Sequence, residues 1–203
     1  MKNILCYGDS NTWGAIPGTL KRHPYETRWT GVMAGLLGQE YCIIEDGING
    51  RRTVWDDPTN LCRNGLTSLG YSLYRAKPLD LVAVMLGTND LNHTDAKGYY
   101  EGITILAKRI LAANECFPGS SDVFRDVPRI LLVSPIAMHP KMPGYEESLK
   151  FAVYTEKVAE ELQVPWLNAA AHAEPSEIDG CHMDTANHER LGRAIAGKVR
   201  EIL

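Results

Sequence analysis

Short apolar runs alternate with longer segments of helical periodicity, and this alternation restricts the fold more than any other feature of the chain. The runs are Ile4–Tyr7, Tyr41–Glu45 (YCIIE), Leu79–Leu86 (LDLVAVML), Pro128–Val133 (PRILLV) and Val164–Leu167. Each has the length of a strand rather than of a buried helix. Between and after them, Arg28–Leu37, Gly65–Ala76, Gly98–Asn114, Ser148–Leu162 and Asn187–Leu203 carry apolar residues at near-helical spacing. Gly38 and Pro78 follow the first two as stop signals. Strands separated by helices pair in parallel, and right-handed crossovers then cover both faces of the sheet. The expected fold is therefore a three-layer α/β/α architecture around a parallel sheet of about five strands. A chain of 203 residues suits one such domain, 1–203. Pro140–Glu147 is expected to be an irregular loop.

Charge and cysteine usage narrow the classes of partner. A net charge of −4 offers no basic stripe, so nucleic acid is not an expected partner. Cys6, Cys42, Cys62, Cys116 and Cys181 form an odd set without a C-x-x-C pair, which argues against a disulfide framework and a structural zinc. The first apolar run lacks the long core and small-residue cleavage site of a secretory signal, and no apolar stretch reaches 18 residues. A cytoplasmic protein with no membrane partner is expected.

Four polar turns follow strands or precede the closing helix: Gly8-Asp9-Ser10, Gly47-Ile48-Asn49-Gly50, Gly87-Thr88-Asn89-Asp90 and Asp179-Gly180-Cys181-His182. Loops after parallel strands gather at one edge of the sheet, where ligands bind. A serine, an amide, a glycine N–H, a histidine and an aspartate would meet there. Acyl transfer needs that set: a nucleophile, a base, an acid that orients the base, and donors for an oxyanion. Gly-Asp-Ser alone is also an ordinary helix N-cap sequence, so the inference rests on all four segments together.

In this order the GDS, glycine, GTND and D-x-x-H blocks resemble the SGNH hydrolases, also called the GDSL family. The wider wording, ILCYGDSNTWG, RWTGVM, DGINGRRT with DDPT, LDLVAVMLGTND, ILLVSP and DGCHMDTANHERLG, is similar to a subgroup of bacterial arylesterases and acyltransferases. The resemblance implies a flavodoxin-like SGNH hydrolase fold and a serine esterase for short-chain alkyl or aryl esters, with acyl transfer to alcohols as a further capacity. It implies Ser10 as nucleophile, His182 as general base and acid, and Asp179 as the group that holds the imidazole. The oxyanion donors would be the N–H of Ser10, the N–H of Gly50 and the side-chain amide of Asn89. Acyltransferases like this chain can carry another small residue at the Gly50 position, since only the N–H is used. Asp9 and Asp90 would brace their loops. No cofactor is implied, the partner is a small-molecule ester, and the subgroup tends toward homo-oligomers. The G-x-S-x-G elbow of α/β-hydrolases is absent.

Asn11, Trp13 and Thr88 flank the motif positions and are candidate substrate walls, as are Trp55 and the loop from Ile136 to Tyr145. Cys181, beside His182, is expected to line the pocket rather than to act as a nucleophile. His188 lies six residues beyond His182, but a histidine opening a helix is expected to be solvated or capping. No H-E-x-x-H occurs and His23, His93, His139 and His172 are scattered, so no metal is expected. Gly192 to Lys198 has the letters of a phosphate loop but lies within a helical pattern. Two other readings remain: a carbohydrate O-acetylesterase, favoured by an aromatic platform in the pocket, and a non-catalytic ligand-binding module.

Overall fold

Period-two alternation divides the first strand between two cores. In β1 (Lys2–Gly8), Ile4 and Cys6 face one layer while Leu5 and Tyr7 face the other, all four fully buried. The structure, a computed structural model, describes residues 1–116 and 121–203. Among these residues β2 (Tyr41–Gly47), β3 (Leu81–Met85), β4 (Ile130–Ser134) and β5 (Trp166–Asn168) join β1 in one parallel sheet of order β2-β1-β3-β4-β5.

Among the described residues, five longer helices form the outer layers besides the short α1 (Ser10–Trp13). On the Ile4 and Cys6 face, α2 (Trp29–Leu37) contributes Trp29 and Met33, and the closing helix Thr185–Ile202 contributes Leu191, Ile195 and Val199. On the Leu5 and Tyr7 face, α3 (Gly65–Ala76) contributes Leu69 and Leu73. Ile103 and Leu106 of α4 (Ala96–Leu111) and Phe151 and Val158 of α5 (Phe151–Leu162) complete that core. The closing helix is α6. The expected three-layer α/β/α fold with a five-stranded parallel sheet is what forms. Among the described residues no helix is long and apolar enough to cross a membrane.

Element ends differ from the sequence expectation where side chains cap them. Helix α4 begins at Ala96 rather than Gly98 because Asp95 accepts the N–H groups of Lys97 and Gly98 at 3.0 and 2.9 Å. Helix α6 begins at Thr185 rather than Asn187 because Asp184 accepts the Asn187 N–H at 2.9 Å. Strand β3 starts at Leu81, since Leu79 bridges instead to Phe124. The loop expected at Pro140–Glu147 contains the start of a helical turn, Tyr145–Ser148.

His188 corrects the expectation of a solvated or capping histidine. It is fully buried between α6 and α2, and its Nδ1 accepts the Trp29 N–H at 3.3 Å. Helix α2 has no side-chain N-cap from Arg28, so an imidazole from the neighbouring helix satisfies one of its first donors. Burial, then neighbouring His23, pushes the His188 pKa down to about 3, which keeps the ring neutral.

With β1 between β2 and β3, the chain leaves β1 toward one side and later returns on the other. The carboxyl ends of β1 and β3 thus open a crevice at the reversal of strand order.

Candidate active site

Serine 10 stands at this crevice because β1 stops at Gly8 and Asp9 caps α1, accepting the Asn11 N–H at 2.9 Å. Gly47, the register partner of Gly8 on β2, lies under α1. A Cβ there would sit 2.1 Å from the Trp13 nitrogen, so the close crossing requires glycine.

The loop before α6 supplies the groups facing Ser10. Asp179 Oδ1 accepts the backbone N–H groups of Cys181 at 3.2 Å and His182 at 3.0 Å, folding the loop around its own side chain. Asp179 Oδ2 lies 2.8 Å from His182 Nδ1, and His182 Nε2 lies 2.9 Å from Ser10 Oγ. A carboxylate at Nδ1 favours the tautomer protonated there, leaving Nε2 to accept the serine proton.

Burial raises the Asp179 pKa, but hydrogen bonds from the His182 side chain and from the His182, Gly18 and Cys181 N–H groups outweigh it. The carboxyl is held down at about 2. Burial, then the neighbouring Asp179 charge, pushes the Cys181 thiol up to about 12, so it stays protonated. Donor atoms of Asp179, Cys181 and His182 lie within 4.8 Å of one another, a grouping that could hold a metal. Here both imidazole nitrogens are already engaged, Nδ1 by Asp179 and Nε2 by Ser10.

A cavity of about 290 Å³ opens onto Ser10 and His182, with Gly50, Asn89, Trp13, Thr88 and Cys181 in its walls. The four sequence blocks are thereby brought together, with Asp179 behind His182. Asn89 Nδ2 donates to the Arg51 carbonyl at 3.1 Å, which joins the third block to the second. Arg51 is itself buried, 1% exposed, and its guanidinium lies 4.0 Å from the Tyr7 ring centre. It donates to the Gly8 carbonyl at 3.0 Å and to the Asp46 carbonyl and carboxylate at 2.6 and 2.8 Å. One side chain thus ties the ends of β1 and β2 to the loop carrying Gly50.

Two buried carboxyls lie behind this wall. Asp90 accepts the Thr53 N–H at 2.8 Å and the Thr53 hydroxyl at 2.6 Å. Burial pushes Asp90 up to about 7 and Asp9 up to about 6, despite the hydrogen bonds each accepts. Both hold loops, as their positions in the motifs imply.

Asn11, Trp55 and the expected loop from Ile136 to Tyr145 do not line the Ser10 cavity. Asn11 is 3% exposed and its carboxamide binds the backbone of the His182 loop. Trp55 packs on His93, ring centres 5.2 Å apart. Ile136 is in the α2–α6 core, while Met138, His139, Pro140 and Tyr145 line a separate cleft of about 590 Å³ beside Glu174–Glu177.

Ala15, Thr19, Leu20 and Arg63, which carry no signal in the sequence, complete the cavity together with Asn49 of the second block. The first three arrive because Ala15 bridges back to Arg22, folding the segment beside Trp13. Arg63 arrives because Nε donates to the Asn49 carbonyl at 3.2 Å and Nη1 pairs with Asp57 at 2.7 Å. Gly50 has φ +80°, and a Cβ there would lie 2.5 Å from Arg63 Nε. Glycine is therefore favoured here by backbone and neighbour alike.

Solved structures similar to this chain include an aryl esterase and carbohydrate acetylesterases. The native aryl esterase of M. smegmatis is 33% identical, with a TM-score of 0.93 and all of both chains covered. A carbohydrate acetylesterase of Sinorhizobium meliloti is 36% identical, with a TM-score of 0.92 and all of both chains covered. A second carbohydrate acetylesterase family member from Sinorhizobium meliloti is 34% identical, with a TM-score of 0.91, all of this chain and 99% of that one covered. No curated protein sequence matches the chain. Residues 6–190 match the GDSL-like Lipase/Acylhydrolase family, and the chain belongs to that family.

Proposed function

We propose that the chain is a single-domain serine esterase that hydrolyses short-chain alkyl or aryl esters through an acyl-Ser10 intermediate. The observation that carries this reading is the 2.9 Å approach of Ser10 Oγ to His182 Nε2 at the floor of a small cavity, with Asp179 on the far side of the ring. Ser10 Oγ attacks the ester carbonyl as His182 Nε2 takes its proton. The developing oxyanion is received by the N–H groups of Ser10 and Gly50 and by the Asn89 amide. Collapse breaks the ester bond, and His182 returns the proton to the leaving alkoxide. Water, deprotonated by His182, then attacks the acyl group and releases the acid and free Ser10. Loss of one oxyanion donor typically costs on the order of 100-fold in turnover.

A cavity of about 290 Å³ favours a short acyl group and a small alcohol. An added alcohol that competes with water for the acyl-enzyme would make a new ester, which the subgroup resemblance supports. The same resemblance supports a homo-oligomer, and free cysteines suit the cytoplasm. The test is p-nitrophenyl ester hydrolysis, acetyl to octanoyl, by the wild type and Ser10→Ala, with and without alcohol, while mass spectrometry follows Ser10. Short-chain turnover and an adduct that vanish in Ser10→Ala are expected. Full turnover by Ser10→Ala would overturn the reading.

A carbohydrate O-acetylesterase is the second reading, favoured by the Trp13 ring in the cavity wall, where an aromatic could stack on a sugar. Arg22 covers the ring from one side, 5.3 Å from its centre. Acetylated monosaccharides turned over faster than p-nitrophenyl acetate, with the preference lost in Trp13→Ala, would select it.

A further inference from the structure

We propose that Asn11 is a positioning residue that sets the distance between His182 and Ser10. The inference rests on the esterase reading of the site. Asn11 follows Ser10 directly on α1, and its side chain reaches 170 residues along the chain to the His182 loop. Its Nδ2 donates to the Cys181 carbonyl at 2.9 Å and its Oδ1 accepts the Met183 N–H at 3.0 Å. One carboxamide therefore grips the backbone on both sides of His182. At 3% exposure it has little water to bind instead.

The geometry divides labour between two side chains. Asp179 contacts the imidazole at Nδ1 and fixes its tautomer and rotation, but it lies on the same loop as His182 and travels with it. Its partner outside that loop, the Gly18 N–H at 2.8 Å, lies beyond the end of α1 rather than on the nucleophile's helix. Asn11 belongs to the nucleophile's own helix, so any sliding of the loop away from Ser10 must break one or both of its bonds. Further backbone donors reach this loop from outside it, the Gly18 N–H to Asp179 Oδ2 at 2.8 Å and the His139 N–H to the Gly180 carbonyl at 2.9 Å, but neither starts on α1, and the Ser176 N–H to the His182 carbonyl at 2.8 Å is internal to the loop region. Asn supplies one donor and one acceptor on a short stem, which matches a carbonyl and an N–H two residues apart. Hydrophobic residues of the same size supply neither.

Asn11→Ala and Asn11→Leu separate the grip from the volume. Both remove the two bonds, and Leu keeps the side-chain bulk. A misplacement of about 1 Å between reacting groups can cost on the order of 100-fold in rate, so kcat for p-nitrophenyl acetate should fall roughly 10- to 100-fold in both variants. KM should stay within about twofold, because the residue does not touch substrate. Rates are taken per folded active site, counted by stoichiometric labelling of Ser10 with a fluorophosphonate, and the labelling rate should fall in parallel with kcat. A rise in KM that grows with acyl length would overturn the proposal and return Asn11 to the pocket wall. Recovery of kcat in Asn11→Leu would also overturn it, since volume alone would then suffice.

If neither variant folds, hydrogen exchange in the wild type decides. The Met183 amide should exchange far more slowly than neighbouring loop amides, and exchange at the loop rate would overturn the grip. Ser10→Ala separates this inference from the function it rests on. If Ser10→Ala is inactive while both Asn11 variants keep kcat, only the inference about Asn11 falls. If Ser10→Ala remains active, the esterase reading of the site falls first.

Discussion

The backbone N–H of Gly18 donates to Asp179 Oδ2 at 2.8 Å, the same oxygen that receives His182 Nδ1 at 2.8 Å. The segment after α1 therefore holds the carboxylate in line with the imidazole. Asp179→Asn keeps the shape of the side chain but turns a donor toward Nδ1, which favours the wrong tautomer. A loss of roughly 10³- to 10⁴-fold in kcat is expected from p-nitrophenyl acetate assays, with little change in fold. A loss below about tenfold would show that Asp179 does not control the imidazole.

Asp179 also predicts a pH dependence of stability. Its folded pKa, about 2, lies below its ordinary 3.8. The stability it contributes is complete above 3.8 and is lost as pH falls from there through about 2. Urea unfolding of the wild type and Asp179→Asn should differ near neutrality and converge in strong acid. A constant difference throughout would contradict the assignment.

Asp90 has the opposite sign. Burial raises its pKa to about 7, so the buried carboxyl favours folding when protonated and loses that advantage as pH rises from 3.8 through about 7. Asp90→Asn retains a carbonyl acceptor for Thr53 and removes the titration. Between mildly acidic and mildly basic pH the wild type should lose stability relative to Asp90→Asn, measured by thermal unfolding. Parallel profiles for the two proteins would rule this out.

Cys181 Sγ lies 3.5 Å from His182 Nδ1, close enough to invite a thiol mechanism. With the thiol pushed up to about 12, Cys181→Ala should still form the acyl-enzyme on Ser10, and iodoacetamide should label Cys181 slowly at neutral pH. An acyl group found on Cys181 by peptide mass spectrometry would refute this.

Gly50→Ala tests an expectation drawn from resemblance alone, that another small residue is harmless there. At φ +80° a non-glycine residue costs roughly 1–2 kcal/mol, and Arg63 must also move. Turnover should fall about tenfold or more as the N–H shifts. Partial recovery is expected in Gly50→Ala combined with Arg63→Ala, which removes the neighbour. Full activity of Gly50→Ala would show that the loop adapts.

Strand and helix assignments were legible because their causes are local. Ile4 and Cys6 alternate with Leu5 and Tyr7, and Asp95 or Asp184 caps a helix within three residues of itself. The blocks containing Ser10, Gly50, Asn89, Asp179 and His182 were legible for a related reason: loops after parallel strands must emerge at one edge. Side-chain destinations are another matter. Nothing in the letters GDSN says that Asn11 turns toward Cys181 and Met183 rather than into the cavity, or that Arg63 folds over Gly50. Nor does a histidine at the start of a helix announce that it will accept the Trp29 N–H of a different helix. The order of elements and the chemical groups at the sheet edge follow from local patterns in the chain. Which of those groups touch depends on the packed fold, because Ser10 and His182 are 172 residues apart and their 2.9 Å contact exists only once both cores have packed.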